Sequence, residues 1–143
     1  MAYTDVVSTQ DMSIKGFKGK GAAWGNEIRA RLAGIHAAMR ALSRETRAVG
    51  GHDFTLAVHA RGRNGQIALR WRLTGRPARH VTWAAIVGQV DVLPPTLADW
   101  YRQVHVAALC INHQEMAARH ELRLAQRFRE EVFALRTPPQ RTS

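Results

Sequence analysis

Cysteine is nearly absent: Cys110 stands alone in 143 residues, so no internal disulfide can form, which fits a reducing cytoplasm. Lysine is almost as scarce. Only Lys15, Lys18 and Lys20 occur, so nearly all positive charge is arginine. Arginine suits bidentate contacts to phosphate and to guanine, although GC-rich codon usage also raises it. Acids are missing where they would matter most: no Asp or Glu lies between Asp53 and Trp83. No run approaches about 20 apolar residues, so no membrane span is expected. Met1 to Gln10 is polar, carries Asp5 and does not resemble a signal peptide.

What is present is one domain's worth of chain with an ordinary 45% apolar content and a formal net charge of +10. A chain that basic points to an acidic partner: nucleic acid, anionic lipid or an acidic protein.

Residues 1–21 read as a flexible basic arm. Glycines 16, 19 and 21 oppose regular structure there, and their spacing matches neither a dinucleotide fingerprint nor a Walker loop. Residues 22–136 read as a single α+β domain, and 137–143 as a disordered tail. Trp24, Ile28, Leu32, Ile35, Met39 and Leu42 recur at helical spacing, and Gly50-Gly51 ends that helix. Strand-like alternation follows over 54–60, 66–73 and 79–83, with turns at Arg61–Gly65 and Thr74–Pro77. Over Val81–Val87 a short helix fits as well. Thr96 is the expected N-cap of a long final helix that runs without Gly or Pro to about Arg136. Its length, roughly 60 Å, calls for a bend near Asn112-His113 or a partner for its far half. Leu97, Tyr101, Val104, Ala108 and Ile111 form its apolar stripe, continued by Ala118, Leu122, Ala125 and Val132. The fold class is therefore α+β: an N-terminal helix, a three-stranded antiparallel sheet and a long C-terminal helix.

The candidate site follows from the alternation. Phe54, Leu56, Val58, Ile67, Leu69, Trp71 and Leu73 share one face, while His59, Arg61, Arg70, Arg72 and His80 share the other. Six arginines fall between Phe54 and Trp83. Arg61, Arg63 and Arg76 lie at turns, Arg79 opens the third strand, and Arg70 and Arg72 form the centre. With Lys18 and Lys20 of the arm they are the expected nucleic-acid-binding residues. Trp71 and Trp83 belong to the core in this reading, not to a base-stacking platform. No catalytic residue, metal ligand or cofactor site is expected: the seven histidines are scattered, no pair of acids stands out, and Cys110 sits in an apolar run that should bury it.

Phe17-Lys18-Gly19-Lys20-Gly21, Phe54-Thr55-Leu56, Leu69-Arg70-Trp71-Arg72 and Trp83 together resemble a family of small uncharacterised proteins encoded on bacterial integrative conjugative elements and plasmids. The likeness runs from about residue 14 to residue 130. It implies a bacterial cytoplasm and a role in maintaining or transferring mobile DNA, and it brings no catalytic residue. The element order also resembles that of double-stranded-RNA-binding domains, but Thr96-Leu97-Ala98-Asp99-Trp100 lacks their Lys-rich helix start. The functional expectation is a non-enzymatic nucleic-acid-binding accessory protein, with DNA ahead of RNA. The alternative is a protein-interaction module, a homodimer or an adaptor, using residues 97–135 of the final helix.

Overall fold

The final helix runs long because no Gly or Pro interrupts it after Pro95, whereas the first helix is long despite the glycines within it. The computed structural model describes residues 14–49, 53–75 and 79–136, and side chains within the first helix from residue 19 onward. Helix α1 spans Ile14–Ala48, strand β1 Phe54–Arg61, strand β2 Gln66–Leu73 and strand β3 Arg79–His80; helix α2 spans Trp83–Asp91 and helix α3 Pro95–Ala134. The strands form one antiparallel sheet in the order β1-β2-β3. This is the α+β architecture that the alternation and helical stripes predict.

Several boundaries differ from expectation, each for a local reason. Residues 14–21, read as part of a flexible arm, are the first turns of α1. Gly21 is buried there because the chain passes so close that an added Cβ would lie 2.9 Å from Arg129 Cγ and 3.0 Å from Phe128 Cδ1. The third strand is two residues long instead of five. Thr82 turns the chain by accepting a hydrogen bond from the Ala85 amide, which caps α2. Helix α3 starts at Pro95, with the Pro94 carbonyl accepting from the Ala98 amide at 2.9 Å, so Thr96 lies inside the first turn and is not the cap. Proline at the first helical position gives up no hydrogen bond. Helix α3 is continuous through Asn112-His113. The helix stop at Gly50-Gly51, Arg76-Pro77 and residues 137–143 lie outside the described residues.

The described residues group into two compact units, a larger one within 31–119 and a smaller one of 14–30 with 120–136. In the larger unit the sheet's apolar face carries Phe54, Leu56, Leu69 and Trp71, all buried. They pack with Met39 of α1, Ile86 and Val90 of α2, and Tyr101, Val104 and Ala108 of α3. Aromatic edges knit this core: Phe54 meets Tyr101 at 5.0 Å and Trp71 at 6.0 Å between ring centroids. In the smaller unit Ile28, Leu122, Ala125 and Val132 are buried. Trp24 donates from Nε1 to Glu121 Oε1 at 2.9 Å and lays its ring edge-on against Phe128.

On each long edge of the β1–β2 hairpin one residue is bonded by helix side chains. Leu56 of β1 donates its amide to Thr46 Oγ1 at 3.0 Å, and its carbonyl accepts from Ser43 Oγ at 2.8 Å. Leu69 of β2 donates to Asn112 Oδ1 at 2.8 Å and accepts from Asn112 Nδ2 at 3.0 Å. One amide side chain thus stands in for a missing strand neighbour, just past the point where β3 has ended. These contacts satisfy edge groups that would otherwise invite another strand.

Candidate nucleic-acid interface

Strand parity sets the site. Thr55 pairs with Arg72, Ala57 with Arg70, His59 with Ala68 and Arg61 with Gln66, and Arg72 also pairs with His80. Residues paired across strands share a face. Arg61, Arg70, Arg72, His59 and His80 therefore lie together on the face opposite Trp71 and Leu56. The three helices that build the core pack on the apolar face, and all three arginines of the other face are exposed. None of the three is in an ion pair among the described residues. The turn joining β1 to β2 extends the same positive region. Gly62 and Gly65 adopt φ of 72° and 79°, and the Gln66 amide donates to Asn64 Oδ1, which leaves Arg61 and Arg63 at an exposed tip.

Two histidines record the local field. His59 and His80 meet edge to face at 4.8 Å between centroids. Partial burial lowers the His80 pKa below the ordinary imidazole value, helped by Arg70, His59 and Arg72. Its Nδ1 is buried with no hydrogen-bond partner among the described residues. His80 borders a cavity of about 260 Å³ with Trp71, Thr82, His105 and Asn112. On its wall Trp71 Nε1 donates to His105 Nδ1 at 3.0 Å, and the His105 ring stacks on Trp83 at 4.3 Å with 6° between planes. Burial pushes the His105 pKa down, and because Nδ1 accepts from Trp71 the neutral ring carries its proton on Nε2.

The other expected contacts are placed differently. Arg79 is exposed but pairs with Leu73, which gives it the parity of the apolar face and separates it from Arg70 and Arg72. Arg76 lies outside the described residues, as does the side chain of Lys18. Lys18 and Lys20 are helical and belong to the smaller unit, so they form no flexible arm. Trp71 is 4% exposed and cannot stack on a base.

Two features escaped the sequence. Cys110 is exposed: the run Ala107–Ile111 is apolar on every side, but only its Ala108 lies in the buried stripe that also contains Tyr101, Val104 and Glu115. Glu115 in turn is 1% exposed, in a stripe where a carboxylate is not expected. It accepts from His36 Nε2 of α1 and from Arg119 Nε at 3.1 Å and Nη2 at 3.3 Å. Arg119 also donates from Nη1 to the Asn64 carbonyl at 3.2 Å, tying the hairpin turn to α3. The one available signal was Glu115 and Arg119 at i,i+4; His36 is 79 residues distant. Among the described residues no group of three His, Cys, Asp or Glu could hold a metal ion. No helix among them is long and apolar enough to cross a membrane.

The fold and site define a two-layer α+β unit with an open, arginine-bearing sheet face. No known protein-family model, curated protein or solved structure matches the chain.

Proposed function

We propose that this is a non-enzymatic, cytoplasmic nucleic-acid-binding protein whose sheet face grips the phosphate backbone. One observation carries the reading: Arg61, Arg70 and Arg72 share an exposed sheet face with no carboxylate partner among the described residues. Arginine on such a face contacts phosphate oxygens without displacing any internal pair. The resemblance to proteins of conjugative elements makes DNA the first polymer to test. Labelled duplex and single-stranded oligonucleotides are titrated over a range of salt concentrations. Binding should weaken steeply with salt, and Arg70→Ala with Arg72→Ala should lower the log–log slope by about 2 on duplex. Weak, salt-independent binding, or an unchanged slope in the variant, refutes it.

A second reading draws support from α3. The stripe expected to meet a partner is spent on the core, but Val106 (64% exposed), Leu109 and Met116 lie outside it. They would seat a second copy of the chain, and light scattering tests this directly: a monomer at all concentrations excludes it.

A further inference from the structure

The helix arginines missed by the strand argument form a second cationic element in the larger unit. Arg40, Arg44 and Arg47 fall at i, i+4 and i+7 on α1, one face of a helix, over an axial distance of about 10 Å. All three are exposed. Together with Arg72, Ala57 and Val58 they line a cavity of about 340 Å³ along the outer edge of β1. None of the four guanidinium groups has an ion-pair partner among the described residues. Arg72 belongs to both elements, because it sits on the sheet face and also lines this groove.

We infer that this groove is a second phosphate-binding site, taking consecutive phosphates of the same strand that the sheet face holds. The inference rests on the proposed nucleic-acid reading and extends it by naming where the backbone runs. Four like charges lining one cavity repel one another, and anions entering it relieve that repulsion. A linear polyanion fits better than an isolated phosphate, since the arginines are strung along a helix face and a sheet. An acidic peptide added as a β-strand fits worse. Strand addition needs consecutive edge groups, and those of Leu56 are already bonded to Ser43 and Thr46.

The test uses the full chain and its triple variant Arg40→Gln, Arg44→Gln, Arg47→Gln, with Arg70→Ala, Arg72→Ala alongside. Affinity for a labelled oligonucleotide is read by anisotropy across a salt series, with circular dichroism as the folding control. The expected result is a slope lowered by about 0.9 per lost contact on duplex or about 0.7 on single strand, so by about 2 to 3 for the triple variant. The matching triple lysine variant should keep the wild-type slope, which separates lost charge from lost fold. A triple glutamine variant with wild-type slope, beside a sheet variant that loses it, overturns the groove and leaves the sheet reading standing. Absence of salt-dependent binding by the wild type overturns both. Polyglutamate competing as well as an oligonucleotide of equal charge points to an acidic protein partner and overturns the phosphate assignment.

Discussion

Glu115→Ala should strongly destabilise the larger unit. The carboxylate is 1% exposed, and its partners are nearly as enclosed: the Arg119 side chain is 13% exposed and that of His36 19%. Removing it strands a guanidinium and an imidazole in a site with little water, and breaking a buried ion pair from one side costs about 3–5 kcal/mol. Arg119 keeps its bond to the Asn64 carbonyl and some solvent contact, which places the loss near the lower end, about 3 kcal/mol. With an unfolding entropy of about 2.1 cal/mol/K per residue, that corresponds to a fall in Tm of about 10 °C for this chain. Urea unfolding followed by circular dichroism should show a lower midpoint at unchanged slope. Replacing Glu115, His36 and Arg119 together by apolar residues of similar volume should recover most of the loss, because no charge is then left unpaired. A loss below about 1 kcal/mol for Glu115→Ala would mean that the cluster behaves as a solvated surface pair, and the reasoning would fail.

Other outcomes follow from the same contacts. Asn112→Ala strips both edge bonds from Leu69 and should cost about 2 kcal/mol in urea melts, whereas replacing exposed His113 in the same helix should cost little. Gly34→Ala should stabilise by up to about 1 kcal/mol, since a Cβ there meets nothing within 4 Å. Gly21→Ala should give no such gain, because its Cβ meets Phe128 and Arg129; equal gains at both sites would refute the close approach. His80 and His105 have folded pKa values below the ordinary 6.5, so below pH 6.5 the unfolded chain binds more protons than the folded one. Their contribution to stability is intact above pH 6.5 and declines as pH falls toward their folded values. His80→Gln should flatten that decline in melts recorded across pH. Bound polyanion should raise the His80 pKa, so binding should tighten on acidification in the wild type and less so in His80→Gln.

The expected sheet face was legible because strand parity is a local property. Once Arg70, Trp71 and Arg72 alternate, covalent geometry alone sends Trp71 to one side and the arginines to the other. Arg79 obeys the same parity: its neighbour His80 pairs with Arg72, so Arg79 pairs with Leu73 and stands apart from the arginine face. The groove, by contrast, was not legible. Arg40, Arg44 and Arg47 lie off the apolar stripe of the first helix, and their spacing does not show that the fold lays β1 and Arg72 beside them.

Short-range chemistry, written residue by residue, determined the order of the elements, which side of the main strands is apolar, and that acids are excluded from the sheet. Folding in three dimensions decided that residues 14–21 are helical, that Cys110 faces outward, and that Glu115 is enclosed between His36 and Arg119. It also decided which hydroxyls and amides close the strand edges. The Glu115 cluster and the bonded strand edges depend on groups 10 to 79 residues apart meeting at hydrogen-bond distance, and no periodicity in a linear chain records which distant partner will arrive.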